Sequence, residues 1–168
     1  DRFILPRPLQ NSGDCNLSFS GLKTAVRKII ESYSPDGKIE HAIMRKRDVA
    51  DICAAFQNAA TDCLRRKLEK AIAYFKANYP EGKDLVVSGG VAANSFLRQS
   101  LQQLADKHHL VFSAPPIKFC TDNGVMIAWA GLERFQQGYT NNLDFKPRPR
   151  WPLDENAPKA AGAGGVKA

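Results

Sequence analysis

The stretch of this chain whose residue types and spacing bear most directly on chemistry is "DLVVSGGVAANSFLR", residues 84–98. A short β-branched run ends in Gly89 and Gly90, and Asn94 then opens an amphipathic helical pattern. In an open α/β sheet, ligands lie beyond the carboxyl ends of the strands, where the first amides of the next helix are unpaired. Glycines at such a place let a flat or anionic ligand reach the backbone, and an asparagine amide can both donate and accept at a ribose or base. The same residues also make a tight turn with Asn94 as a helix N-cap and no ligand at all. A Gly-Gly pair alone does not decide, because it is weaker than a full dinucleotide or P-loop fingerprint. "FCTDNGVMIA" poses a similar choice. Asp122 there either caps a helix or offers a carboxylate to a metal ion beside a nucleotide's phosphates, and it cannot hold a metal alone.

Other chemistries lack their residues. His108 and His109 are adjacent, project in different directions from a helix and suit its C-terminus electrostatically, while His41 falls in a polar connection. The chain has no H-E-x-x-H, H-x-x-x-H, G-x-S-x-G or P-loop, which counts against a self-contained zinc hydrolase or a serine hydrolase. Cys15, Cys53, Cys63 and Cys120 are scattered without a C-x-x-C pair and read as reduced thiols. In "SFSGLKT" a strand-to-helix turn with Ser20 as cap accounts for the two serines and the lysine.

These candidates need elements to position them. The opening "DRFILPRPLQNSGDCN" is punctuated by proline and glycine, with a short strand expected at 3–5. A strand-turn-helix is expected over 17–32, broken by "SPDGK". From about Lys46 to Asn78, apolar residues recur at three- to five-residue steps, so one long core-forming helix is predicted, with Cys63 on its apolar stripe and Cys53 off it. "DLVVSGG" reads as a parallel strand buried on both faces, followed by a helix over about 94–107, a strand at "LVFSAPP", and a last helix that Thr121 or Asp122 caps and Gly138 ends. The tail from 154 is small-residue sequence expected to be disordered. Strands alternating with helices predict an α/β fold with a small sheet of three or four strands.

Composition narrows the class. Lys and Arg number 24 against 17 Asp and Glu, and the excess gathers at "RKR" 45–47, "RRK" 65–67 and "KPRPRW" 146–151. Each cluster alone suits a solvated helix face, but the net sign suits a polyanion such as RNA. No apolar run reaches the roughly 20 residues that cross a bilayer, so no membrane association and a cytoplasmic location are expected. The chain starts at Asp1 rather than Met, which suggests a processed product or an excised piece.

Taken together, "SFSGLKTAV", "AAFQNAATDCL", "LVVSGGVAANSFLR", "FCTDNGVMIAWAG" and "RPRWPL", in this order, resemble the carboxyl-terminal half of the bacterial tRNA threonylcarbamoyladenosine synthase family, whose members formerly carried the label O-sialoglycoprotein endopeptidase or glycoprotease. The similarity runs from about Arg2 to Leu153. It implies residues 1–153 as one lobe of an actin-like ATPase fold, as in sugar kinases and Hsp70, with a small mixed sheet and flanking helices. It further implies transfer of the threonylcarbamoyl group from threonylcarbamoyl-AMP to N6 of adenosine 37 in tRNA. By the same resemblance Gly89, Gly90 and Asn94 line the nucleotide site, and Asp122 is a ligand of an iron or zinc ion. The family's H-x-x-x-H motif, which supplies the other ligands, belongs to the amino-terminal half and is absent from this chain. The chain alone is therefore expected to be inactive, with no catalytic residue assignable to it. The family's bacterial partners are an inactive actin-like paralogue and a small P-loop ATPase, and a half enzyme is expected to self-associate through exposed apolar surface. Competing classes are a metal-dependent glycoprotease, a non-catalytic RNA- or protein-binding module, and a small-molecule kinase of the same fold.

Overall fold

The computed structural model describes residues 2–146 and Asn156, and it divides into two units, Asp1–Asn123 and Gly124–Ala168. The motif "RPRWPL", most of the basic run at 146–151 and the tail from 154, Asn156 apart, lie outside the described residues.

In the first unit, α1 (Ser20–Glu31) leads through a 3-10 turn (Ile39–His41) to α2 (Lys46–Asn78). Then come β1 (Asp84–Val86), a 3-10 turn (Gly90–Ala93), α3 (Ser95–Lys107), β2 (Val111–Ser113) and a last 3-10 turn (Ile117–Phe119). The class is α/β, as the alternation predicts. β1 and β2 pair in parallel, Leu85 opposite Phe112, with α3 as the crossover. Among the described residues the sheet has these two strands alone, fewer than the three or four expected, and it is parallel rather than mixed.

The reasons for the missing strands are local. At 3–5, Leu5 is buried against Leu22, Ala55 and Ala59, and its carbonyl accepts from Arg7 Nη1 at 2.6 Å, so a side chain does the work of a ladder. At 17–19, the Phe19 carbonyl already accepts from Lys23 N at 2.9 Å, and helix takes over where alternation suggested strand. Phe19 is thus the N-cap residue; Ser20 is the first helical residue, and no side-chain cap bond is made there.

The 33 residues of α2, roughly 50 Å of helix, serve two cores. Its first half packs Ala55 and Ala59 on Leu22 of α1, and its second packs Ile72 on Leu104, Ala105 and Leu110. Leu85 and Phe112 join the second core from one face of the sheet. The opposite face is open, Val86 being 68% and Val111 61% exposed, so β1 is not buried on both sides as its apolar run suggested. Cys63 is buried and Cys53 exposed, as the helical stripe predicts.

Two charged residues buried in α2, Asp48 and Lys67, do not show in its periodicity. Asp48 accepts from Arg45 Nε at 3.0 Å and from Arg2. Lys67 Nζ reaches the Asp14 carbonyl at 2.9 Å and its carboxylate at 3.3 Å, and also meets Ser12, pinning the opening loop to α2. The hydrogen bonds of Ser12, Asn16 and Lys67 hold the Asp14 carboxyl at about 2, below its ordinary 3.8, and Arg45 and Arg2 hold that of Asp48 low as well. Both groups stay ionised in the fold at pH values where the unfolded chain has taken up protons. The contribution of Asp14 is therefore complete above about pH 4 and is lost as pH falls toward 2, and that of Asp48 is likewise lost in acid as pH falls through its lowered value. Urea titrations of wild type and Asp48→Asn are expected to differ most at neutral pH and to converge in acid; a gap unchanged at pH 2.5 would contradict the assignment.

In the second unit, α4 (Gly124–Gln136) ends as expected near Gly138, whose φ of +81° suits glycine, and the Arg134 guanidinium lies 5.1 Å from the Tyr139 ring centre. The helix begins at Gly124, so Asn123 precedes it rather than Thr121 or Asp122. Its apolar residues Val125, Ile127, Trp129 and Phe135 are exposed.

Candidate functional site

Because β1 and β2 are parallel, the loops that follow them leave the same end of the sheet. Past β1 the ladder extends by one bond, Val87 N to the Ser113 carbonyl at 2.9 Å. The chain then enters Gly89 at φ 91°, ψ 175°, a region essentially confined to glycine. A Cβ placed on Gly89 or Gly90 would meet nothing within 4 Å. Packing among the described residues therefore does not require either glycine. Conformation requires Gly89, and the space above both is open to a ligand.

The Gly90–Ala93 turn closes with Ala92 N on the Gly89 carbonyl at 3.0 Å and Asn94 N on the Val91 carbonyl at 3.1 Å. Asn94 Oδ1 accepts from Leu97 N at 2.9 Å, the N-cap bond, while Nδ2 donates to Gln57 Oε1 of α2 at 3.0 Å. The primary amide has two N–H groups and two lone pairs, so capping and ligand binding do not exclude each other. An apolar cleft of about 540 Å³ runs along α2, lined by Val26 and Ile30 of α1, Ile52 and Phe56 of α2, and Val91 and Asn94 of the loop. Asn94→Ala is expected to cost about 1 kcal/mol of stability through the lost cap, with adenylate affinity also reduced. Chemical denaturation and calorimetric titration check the two effects separately; unchanged affinity would remove the ligand contact and leave the cap.

Past β2, Pro115 and Pro116 lead into the Ile117–Phe119 turn, which lies against the Gly90–Ala93 turn. Cys120 is buried, and Asp122, two residues on, is exposed. The topology thus brings Gly89, Gly90, Asn94 and the Asp122 loop to one end of the sheet. It does not bring the histidines there. His108 and His109 close the far end of α3, roughly 20 Å of helix from Asn94, with His109 at φ 53° and His108 Nε2 3.7 Å from Glu69. His41 is engaged at the surface, its Nδ1 2.8 Å from Asp36. Among the described residues no three His, Cys, Asp or Glu side chains gather as metal ligands. A lone exposed carboxylate does not make a metal centre.

Three residues at this end of the sheet were not singled out by their types. Gln57 is one amide in a long helix, Arg98 one cation among 24, and Cys120 one thiol of four. Gln57 meets Asn94 37 residues away and Arg98 meets Cys120 22 residues away, pairings that no local pattern reveals.

Comparison with known proteins places these loops in a family context. The family model described as tRNA N6-adenosine threonylcarbamoyltransferase matches residues 1–129. Proteins of that name from Rhodospirillum rubrum, Rhizobium etli and Paramagnetospirillum magneticum are 53%, 48% and 46% identical over 99%, 100% and 96% of this chain. The chain spans 44%, 46% and 45% of their respective lengths.

Proposed function

Because this chain belongs to the tRNA N6-adenosine threonylcarbamoyltransferase family, we propose that it forms the nucleotide-binding part of an enzyme that moves the threonylcarbamoyl group from threonylcarbamoyl-AMP to N6 of adenosine 37 of tRNA. The observation that carries this reading is the Gly89–Gly90 turn, open above, glycine-specific in conformation and set at the carboxyl end of a parallel strand. The lobe is of the actin-like ATPase kind, with residues 1–153 within it.

In the transfer, the exocyclic amine of adenosine attacks the carbamoyl carbon, a C–N bond forms, the C–O bond to the phosphate breaks, and AMP leaves with loss of one proton from the amine. Residues of this chain bind and orient. Gly89 and Gly90 admit the adenylate to the backbone, and the first amides of α3 face its charge. Asn94, braced by Gln57, presents its remaining donor and acceptor to the nucleoside. The apolar cleft beside Asn94 offers a surface for the base.

Asp122 would be one ligand of an iron or zinc ion whose other ligands would be histidines outside this chain. With those histidines lying elsewhere, the chain by itself is expected to be inactive. When bound, the metal would supply Lewis acidity at an oxygen of the donor. Basic residues hold the tRNA in a salt-sensitive way. The inactive actin-like paralogue and the small P-loop ATPase are partners of the whole enzyme, and the exposed apolar residues of α4 suit self-association of the isolated chain. The location is cytoplasmic, as modification of tRNA implies; among the described residues no helix is long and apolar enough to cross a membrane.

The direct test is formation of threonylcarbamoyladenosine on tRNA by the full-length enzyme supplied with threonylcarbamoyl-AMP, read by mass spectrometry of the nucleosides. Product is expected from the full-length enzyme and none from residues 1–168 alone. Lack of product from the complete system would overturn the reading.

A further inference from the structure

The two loops at the end of the sheet share one side chain. Arg98 lies four residues past Asn94, in the first turn of α3, and its guanidinium turns back toward both loops. Nε donates to the Ala92 carbonyl in the first loop. Nη2 donates to the Pro115 carbonyl in the second, and to Cys120 Sγ at 3.0 Å. The Cys120 thiol is buried, 3.6 Å from the Pro115 carbonyl and 3.7 Å from that of Pro116. Ala92 is buried as well.

We propose that Arg98 is a positioning residue that clamps the Gly89–Asn94 loop to the Pro115–Asp122 loop, so that the nucleotide-facing backbone and the Asp122 carboxylate keep one fixed relation. The functional half of this proposal rests on the reading of the two loops given above; the clamp itself does not.

Both strands have ended, at Val86 and Ser113, before either loop turns. The backbone bonds inside each loop are local: Ala92 to Gly89 and Asn94 to Val91 in one, Phe119 to Pro116 and Cys120 to Ile117 in the other. Each set shapes its own turn and does nothing for the relation between the two. A guanidinium suits that task, because its N–H groups form a rigid planar fork that reaches acceptors in different directions and keeps its charge at every working pH. Here the fork spans carbonyls from two segments and a sulfur. Removing it would leave the Ala92 and Pro115 carbonyls without this donor in a partly buried place, so each loop would relax toward other partners. Lysine, a single point donor on a flexible stem, can satisfy only part of the set.

The test uses the full-length enzyme. Arg98→Met keeps the apolar stem and removes every donor, and Arg98→Lys serves the same comparison if the methionine variant does not fold. Amide exchange in segments 89–94 and 115–122 is expected to rise together, by at least about tenfold, as both loops lose their tie. The dissociation constant for AMP is expected to rise by a similar factor. A core variant matched in melting temperature, Leu101→Val, should change neither, which separates positioning from a general loss of stability. Faster exchange in one loop alone, or in neither, overturns the clamp, and wild-type AMP affinity in a methionine variant whose loops have both loosened overturns its positioning role. If wild type binds no AMP while both loops loosen in Arg98→Met, the nucleotide reading of the first loop falls and the clamp stands.

Discussion

Replacing Asp122 with alanine in the full-length enzyme is expected to lower threonylcarbamoyl transfer by more than about 100-fold, with the fold unchanged. The expectation combines two features of the chain. Asp122 is exposed on a loop at the carboxyl end of the parallel pair, so losing its carboxylate should alter stability by no more than about 0.5 kcal/mol. A carboxylate that serves as a metal ligand has no substitute among its neighbours, because no cluster of three such groups forms among the described residues. The variant should therefore lose bound metal, read by elemental analysis, together with activity, while its melting temperature stays near that of wild type. Full activity in Asp122→Ala would remove the residue from the site. Lost activity with full metal content would assign it another role there.

The second large effect belongs to Gly89. At φ 91° and ψ 175° an alanine carries a conformational cost of about 1 to 3 kcal/mol, although its methyl group would meet no atom of the described residues within 4 Å. The turn is expected to leave this conformation rather than bear the cost, and adenylate affinity to fall by about 10- to 100-fold. Gly90→Ala makes the useful contrast. Gly90 is not held at positive φ, and its added methyl group also meets nothing. Stability should barely change, yet the methyl group would occupy space that the ligand needs. If Gly90→Ala binds adenylate like wild type, the ligand does not pack directly on that residue; if Gly89→Ala does too, the turn is not the nucleotide loop.

How much of this was legible in the sequence depends on the range of the interaction. The long helix Lys46–Asn78 was readable because its periodicity runs over many turns, and the N-cap at Asn94 because a cap is decided within four residues. The two strands were located, but the sheet's extent was overestimated. Leu5 sits in a short apolar run and Phe19 in one that alternates like a strand, and their carbonyls are instead satisfied by Arg7 and by Lys23 N. The open face of β1 was missed for a related reason. An apolar run such as "LVV" states what a strand tolerates on each face, whereas the cover on each face is set by residues far along the chain. The same limit hid Asp48 and Lys67, charges inside an apolar helix whose partners Arg2 and Asp14 lie 46 and 53 residues away. Within the candidate site, the glycines, Asn94 and Asp122 announce themselves by type and spacing. Arg98 and Gln57 do not, because their roles are fixed by which carbonyl or amide the fold brings to them.

The proposed function depends on an adenylate binding at the Gly89–Gly90 turn. Photo-crosslinking of the full-length enzyme with 8-azido-AMP, followed by peptide mapping, tests it most directly. Adducts are predicted within residues 87–94 or on the adjoining wall of the cleft around Phe56, and they should be competed away by unmodified AMP. Competed labelling confined to other segments, with none on this loop or this wall, would contradict it.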